Sequence, residues 1–124
     1  MTQLIAIATG GAVGALFRFW VSSGVYNLLG RGFPYGTLAV NVIGSLTMGF
    51  LYVLLLDRMT LGPDLRAALL IGFLGAFTTF STFSIETITL IEQADFMKAG
   101  LNMVISVVAC VLACWLGLLI GRQV

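Results

Sequence analysis

The chain of 124 residues contains no histidine, two prolines and few charged side chains. Charged residues make up 9% of it, against about 25% in an ordinary soluble domain. The lysines and arginines are scattered singly along the chain. The sequence therefore has no basic patch of the kind that indicates nucleic-acid binding. The two cysteines, Cys110 and Cys114, lie in an apolar run, and we interpret them as core residues rather than a disulfide or metal ligands. Without histidine, a ligand cluster or a nucleophile beside a base, we predict that the chain is not an enzyme.

Apolar residues make up 60% of the chain, against roughly 45 to 50% in a soluble domain. The hydrocarbon core of a bilayer, about 30 Å thick, takes about 20 helical residues to cross. Apolar segments of that length cover residues 4–29, 36–56, 65–91 and 96–120. The sequence therefore predicts an all-α membrane protein with a single four-helix transmembrane domain over residues 1–124. The first segment is longer than the hydrophobic region of a signal peptide, so we expect a retained span.

The basic residues are balanced between the two sides of the membrane. If the first and third loops share one side, that side carries Arg18, Arg31 and Lys98, and the other carries Arg58, Arg66 and Arg122. Cytoplasmic loops normally carry the excess of basic residues, so a balanced count favours insertion in both orientations. Dual topology would supply the two copies of an antiparallel homodimer. An ordinary protein whose topology is set weakly or by its partners is the alternative.

The third apolar segment is rich in hydroxyl residues behind two glycines, Gly72 and Gly75. Helical hydrogen bonding is easily interrupted in such a stretch, and freed backbone groups at membrane depth need protein or water as partners. We predict a break of this helix at about residues 75–81, near the middle of the membrane. The carbonyl oxygens of Gly75 and Thr78, released by the break, are hard ligands suited to Na⁺. The alternative is a continuous helix whose hydroxyls bond to carbonyls four residues earlier.

Aromatic rings and polar side chains define a candidate ion path. Phe80 and Phe83 lie three residues apart, and the positive edges of their rings can meet a partly dehydrated anion. Two other spans carry polar residues at steps of four, which track along one helix face: Thr37, Asn41 and Ser45 on the second, and Asn102, Ser106 and Cys110 on the fourth. Aromatic core packing and polar contacts that hold helices together are the alternatives.

Two charged residues lie within the predicted spans. Arg18, in the first, predicts either an anion-attracting vestibule or an anchor that reaches to the membrane surface beside Trp20. Glu86 is the only carboxylate well inside a span. It is either a proton carrier or a structural group that accepts hydrogen bonds from Thr82 and a neighbouring helix.

The stretches GTLAVNVIG (residues 36–44) and GFLGAFTTFSTFSIE (72–86) resemble the Fluc (CrcB) fluoride-channel family of bacteria, and GAVGALFR (11–18) resembles the first span of that family. The resemblance covers nearly the whole chain. It implies a passive channel of the bacterial inner membrane that exports F⁻ from the cytoplasm and gives fluoride resistance. It also implies an antiparallel homodimer with two pores and a structural Na⁺ at its centre.

The same resemblance implies roles for individual residues. Phe80 and Phe83 are similar to the ring-edge ligands of fluoride, Asn41 to the amide donor of the pore, and the carbonyls of Gly75 and Thr78 to the Na⁺ ligands. The remaining residues of the expected fluoride path are Thr37, Ser81, Thr82, Asn102, Ser106 and Cys110. The family often has an aromatic or another hydrogen-bonding residue where Asn102 stands and a serine where Cys110 stands.

Two other classes of membrane protein fit four short spans. A proton-coupled small multidrug transporter needs a carboxylate in its first span, where this chain has Arg18. A non-conducting assembly subunit would use the polar residues only to hold helices together.

Overall fold

The computed structural model describes every residue from Met1 to Val124, and all of its regular structure is helical. Helix α1 spans Thr2–Leu29, α2 spans Tyr35–Asp57, α3 spans residues 63–77, α4 spans Phe80–Glu92 and α5 spans Phe96–Gln123. Four helical segments are long and apolar enough to cross a membrane, and α3 and α4 together form the third, Pro63–Glu92. The prediction of an all-α protein with four such segments is confirmed.

Glycine and proline mark the ends of the helices. Gly30 follows α1 with φ of 83°, in the left-handed region that glycine adopts without strain. Pro34 immediately precedes α2, and Pro63 is at the first position of α3, where its missing N–H leaves no helical bond unmade. These short connections make successive spans run in opposite directions.

Two stretches are wound more loosely than an α-helix, with π-helical bonding. Tyr52–Asp57 forms the end of α2, and Ala68–Phe73 lies inside α3. The second stretch packs on α1 at Gly10 and Gly14, where any side-chain carbon would overlap backbone atoms of Ala68 and Phe73. The sequence pattern does not predict either stretch, because the apolar periodicity of a membrane helix is the same with or without one wide turn.

Helices α2 and α5 also approach each other through glycines. Gly49 faces the backbone of Cys114, and Gly117 faces the carbonyl group of Leu46 and the amide nitrogen of Phe50. Small residues at such crossings let two backbones come close enough for extensive van der Waals contact. The close crossing sets the position of the polar side chains that these two helices carry on the same side.

We expect Gly117→Ala to destabilise the protein by about 2 kcal/mol, since overpacking a tight contact costs about 1–3 kcal/mol. The added carbon would overlap the Leu46 carbonyl and lie 2.8 Å from the amide nitrogen of Phe50, so α2 and α5 must separate. Thermal unfolding in detergent measures the effect. Gly100→Ala on α5 is the matched control, because nothing lies within 4 Å of its added carbon. Equal melting temperatures for the two variants would contradict the close crossing.

The third apolar segment loses helical geometry at two adjacent residues. Thr78 (φ −85°, ψ 159°) and Thr79 (φ −151°, ψ 118°) have extended backbone between α3 and α4. Both lie within residues 75–81. Thr79 caps the start of α4, since its hydroxyl oxygen accepts the N–H of Thr82 at 3.2 Å. Helical hydrogen bonding resumes from that cap.

The outer surface is largely apolar. Only 22 of the 124 residues are buried, and large side chains such as Phe19, Val104 and Trp115 are more than half exposed. A surface of this kind is unfavourable in water and is covered by lipid tails or by another apolar surface. Composition, helix length and surface all indicate a protein that crosses a membrane several times.

Candidate functional site

A groove of about 450 Å³ opens where α2 and α5 meet the interruption between α3 and α4. Polar, aromatic and aliphatic residues line the groove. It brings together seven of the predicted site residues: Asn41, Gly75, Thr78, Phe80, Phe83, Ser106 and Cys110. No charged side chain lines it. An ion in this groove would meet hydroxyl, thiol, amide and ring-edge groups and no formal charge.

Asn41 fastens the interrupted segment to α2. Its side-chain Nδ2 donates to the carbonyl of Thr79 at 2.9 Å, and its Oδ1 accepts the N–H of Thr79 at 2.8 Å. The amide thus replaces both partners that a regular helix would give this buried residue. The prediction that Asn41 donates to fluoride stays a prediction, and one of its two amide hydrogens already serves Thr79.

The carbonyl oxygens of Gly75 and Thr78 lack their regular helical partners. The N–H of Thr79, which would bond to Gly75, donates to Asn41, and the N–H of Thr82, which would bond to Thr78, donates to the Thr79 hydroxyl. Gly75 is exposed, with open space where a side chain would be. Two carbonyl oxygens without their regular helical donors, one of them on an exposed residue, fit the hard oxygen ligands that Na⁺ prefers.

The rings of Phe80 and Phe83 are neighbours, with centroids 5.3 Å apart and planes 39° apart. Their environments differ: Phe83 is 9% exposed, whereas Phe80 also lines the groove but is 76% exposed. Lipid tails or another apolar surface must cover a ring so exposed.

The polar residues of α5 divide into two groups. Ser106 and Cys110 line the groove, but Asn102 is 1% exposed and lies behind it. The Ser106 hydroxyl donates to Asn102 Oδ1 at 3.2 Å, and Asn102 Nδ2 donates to the Thr87 hydroxyl at 2.9 Å. Thr87 in turn donates to the carbonyl of Phe83 at 2.8 Å. Asn102 therefore connects α5 to α4 and supports the backbone beneath Phe83, away from the groove itself.

A second cleft, of about 190 Å³, lies on the other side of Thr79. It is lined by Arg18 and Ser22 of α1, Thr37 of α2 and Thr82 of α4, among others. Arg18 is half-buried there, so the residue predicted for a vestibule stands beside two residues predicted for the path. Ser81 lies in neither cavity; it is exposed, with its hydroxyl 3.5 Å from that of Thr79.

Tyr26 is a site residue that the sequence reasoning missed. Its hydroxyl donates to Glu86 Oε2 at 2.6 Å and lies 3.3 Å from the hydroxyl of Thr37. Of the two partners expected for Glu86, the neighbouring helix is correct and Thr82 is wrong, because Tyr26 bonds to Oε2 and no group donates to Oε1. No spacing rule reveals the pair, since Tyr26 and Glu86 are 60 residues apart. The contact ties α1 to α4.

We expect Tyr26→Phe to destabilise the protein by about 1–2 kcal/mol, since a hydrogen bond to a carboxylate is lost within a helix bundle. The second carboxylate oxygen of Glu86, Oε1, is already buried without a partner. Removing the tyrosine hydroxyl leaves the whole carboxylate unpaired. The melting temperature in detergent reports the change, and Tyr35→Phe is the control because no hydrogen bond involves the Tyr35 hydroxyl. Equal melting temperatures for the two variants would remove Tyr26 from the site.

The four apolar helices define a small multi-pass membrane protein with an uncharged groove beside the interrupted third span. The chain belongs to the CrcB family: the family model described as "CrcB-like protein, Camphor Resistance (CrcB)" matches residues 5–118. No residue of the groove lies outside that range.

Proteins named "Fluoride-specific ion channel FluC" are similar to this chain over almost its whole length. The one from Methylococcus capsulatus is 56% identical over 121 residues, 98% of this chain and 53% of that protein. Those from Magnetococcus marinus and Geobacter sulfurreducens are each 49% identical over 98% and 99% of this chain, and over 99% of their own lengths. The chain thus spans about half of the first relative and nearly all of the other two.

Proposed function

We propose that this chain is a passive, fluoride-selective channel of the bacterial inner membrane that exports F⁻ from the cytoplasm. The observation that carries the proposal is the groove at the helix interruption, which is lined by polar groups and two phenylalanines but by no charged side chain. Membership of the CrcB family and the similarity to proteins named as fluoride-specific channels support it. Each relative is named as a channel rather than as an enzyme.

A path for F⁻ must replace a strongly held hydration shell without trapping the ion. Neutral donors do this, because hydroxyl, amide and ring C–H groups each supply a small part of the stabilisation that the ion loses with its water. Each contact is weak enough to release the ion easily. A lysine or arginine in the groove would hold the anion. Arg18 lies instead in the separate cleft beside Thr79, where it raises the local anion concentration without closing the path.

The membrane potential supplies the driving force. Fluoride enters a cell from acidic surroundings as neutral HF and dissociates in the neutral cytoplasm. An interior-negative potential then favours loss of the anion by about 2.3 kcal/mol for each 100 mV. No coupling residue is needed, and Glu86 serves as the partner of Tyr26.

Fluoride efflux from liposomes tests this function. Vesicles with purified protein, loaded with potassium fluoride and opened to K⁺ by valinomycin, should release fluoride to an electrode, whereas vesicles loaded with potassium chloride should release no chloride. Efflux that requires an opposing pH gradient would favour the proton-coupled transporter. Absence of any efflux from folded protein would favour the assembly subunit.

The proposal includes an antiparallel homodimer with two pores. Phe80 and Gly75 are exposed beside the groove of the single chain, and the basic residues are balanced between the two sides. A second copy related by a twofold axis in the membrane plane would cover both residues with the same surface of its partner. Each copy would bring its own groove, which gives two paths.

Labelling of the single lysine in intact cells tests dual topology. Lys98 lies in the first turn of α5, and its side chain is 43% exposed. An amine reagent that cannot cross the inner membrane should modify Lys98 in about half of the molecules, as equal insertion in both orientations requires. Modification of nearly all or nearly none would show a single orientation and overturn the antiparallel dimer.

The proposal also places a structural Na⁺ at the centre of the dimer, held by the carbonyls of Gly75 and Thr78 from both copies. The fit rests on two carbonyl oxygens whose regular helical donors bond elsewhere and on the open space beside Gly75. The ion would join the interrupted segments of the two chains. Its role is to hold the backbone in place, and fluoride does not bind to it.

We expect removal of Na⁺ to weaken the assembly. An ion that binds only the folded protein stabilises it by about 2.7 kcal/mol at a concentration 100 times its dissociation constant. Exchange of Na⁺ for N-methylglucamine should therefore lower both the melting temperature and the fluoride efflux rate, and Na⁺ added back should restore them. Identical melting curves in the two cations would remove the Na⁺ site and leave the channel proposal standing.

A further inference from the structure

Three sulfur-containing side chains line the groove that we assign to fluoride. Cys110 and Cys114 come from α5, and Met48 comes from α2. Both thiols are free and half-buried, although the sequence suggests that they are ordinary core residues. No other cysteine is present, and the remaining methionines lie outside the groove. The sulfur atoms of this cavity are therefore a distinct chemical feature of the chain.

Helix geometry places the two thiols near each other, and Met48 lines the same groove. Cys110 and Cys114 are one turn apart on the same face of α5, where side-chain β-carbons lie about 5–6 Å apart. Met48 precedes Gly49, and it is at Gly49 that α2 touches the backbone of Cys114. The unbranched methionine side chain is flexible enough to bring its sulfur toward the thiols.

We propose that Met48, Cys110 and Cys114 form a site for a soft monovalent metal cation, Cu⁺ or Ag⁺. Thiolate and thioether sulfur are the ligands that such cations select. The groove offers no carboxylate or imidazole to a harder ion, and no cluster of three histidine, cysteine or acidic residues exists elsewhere in the chain. The site would be specific for soft cations for this reason.

Binding requires the loss of one proton. One thiol S–H bond breaks, its electron pair forms the sulfur–metal bond, and the proton leaves to water. The second thiol and the thioether donate as neutral ligands, so no electron is transferred and the complex has no net charge. A neutral product is favoured because the groove contains no cation to balance a second thiolate. We expect about one proton released for each cation bound.

A cation at this site would block the channel, a consequence that rests on the proposed fluoride function. Cys110 and Phe83 line the same groove, so a metal held there narrows the space through which the anion must pass. The bound metal also replaces a thiol S–H donor with a sulfur that no longer donates. Both effects slow fluoride.

Titration of purified protein with silver fluoride in a chloride-free buffer tests the site directly. Calorimetry should show one Ag⁺ per chain, and a pH indicator should show the proton. Cys110→Ser/Cys114→Ser should abolish binding, and Met48→Leu should weaken it by about tenfold, or about 1.4 kcal/mol. Met103→Leu is the control, since Met103 is exposed on α5 outside the groove. Unchanged binding by the double cysteine variant, or a Met48→Leu affinity equal to the control, would overturn the proposal.

Efflux measurements on the same samples separate this inference from the proposed function. Ag⁺ should stop fluoride efflux of the unaltered protein, and each variant is compared with its own rate before Ag⁺ is added. Half-maximal block of Cys114→Ser should need at least ten times more Ag⁺ than half-maximal block of Met103→Leu, because Cys114→Ser binds Ag⁺ more weakly. Binding of Ag⁺ by protein that passes no fluoride would refute the channel alone. Fluoride efflux without Ag⁺ binding would refute the metal site alone.

Discussion

Replacing either Phe80 or Phe83 with isoleucine should lower fluoride efflux by about a hundredfold, which corresponds to a barrier higher by about 2.7 kcal/mol. Isoleucine keeps an apolar side chain of similar reach but has no positive ring edge. An anion that has lost part of its water shell would find no replacement for it. Efflux from liposomes with a fluoride electrode measures the change.

The two variants differ in how they could affect folding, and this difference makes the test decisive. Phe80 is 76% exposed, so Phe80→Ile leaves the core of the chain unchanged, whereas Phe83 is packed and its loss also disturbs the groove wall. Phe96→Ile, at an exposed ring on the first turn of α5, is the control for general effects of removing an aromatic residue. Normal efflux from Phe80→Ile in a folded, dimeric sample would move the ion path away from these rings.

The predicted break of the third span rests on a local cause. Two glycines and a run of hydroxyl residues weaken helical bonding between Gly72 and Ser81, and the extended residues are Thr78 and Thr79. The local pattern does not identify the residue that bonds to the backbone of Thr79. Asn41 lies 38 residues away on another helix, and the sequence suggests a role for it toward the ion rather than toward the backbone of Thr79.

The polar stripes were predicted as two continuous faces, and the structure places only part of each in the groove. Steps of four residues advance about 40° around a helix, so the first and third members of a stripe differ by about 80°. Ser106 and Cys110 line the groove, whereas Asn102 turns toward Thr87 of α4. Thr37 likewise faces Tyr26 and the Arg18 cleft, while Asn41 lines the groove. Spacing alone does not show which members of a stripe contact a neighbouring helix and which line the groove.

Tyr26 and Glu86 illustrate a contact that depends on tertiary packing alone. Which residue of α1 lies beside α4 is set by the glycine contacts between α1 and α3, in particular Gly10 and Gly14. Small residues on an apolar helix are recognisable in a sequence as packing surfaces. The sequence does not show the rotation and the axial position at which the helices meet, because backbone-to-backbone contacts without side-chain interlocking allow several registers.

Asn41 is the residue whose loss should destabilise the protein most. Asn41→Leu keeps the volume of the side chain but leaves the N–H and the carbonyl of Thr79 without partners. Thr79 is buried, and each unpaired backbone group costs about 1–3 kcal/mol, with the lower part of the range usual in membrane proteins. We expect a loss of about 3 kcal/mol, together with loss of fluoride efflux.

Asn41→Asp separates the two hydrogen bonds. One carboxylate oxygen can still accept the N–H of Thr79, as Oδ1 of Asn41 does now. The other carboxylate oxygen takes the place of Nδ2 and faces the Thr79 carbonyl, to which it cannot donate. Two acceptors then face each other. The variant should be no more stable than Asn41→Leu although it keeps the polarity and shape of the native side chain.

Ser45→Ala is the matched control for both variants. Ser45 lies one turn further along α2 and lines the same groove, but no hydrogen bond to the interrupted segment involves it. Its substitution should change stability by less than about 0.5 kcal/mol. If Asn41→Leu melted at the temperature of Ser45→Ala, Thr78 and Thr79 would hold their extended backbone without α2. The interruption would then be held by residues of α3 and α4 alone.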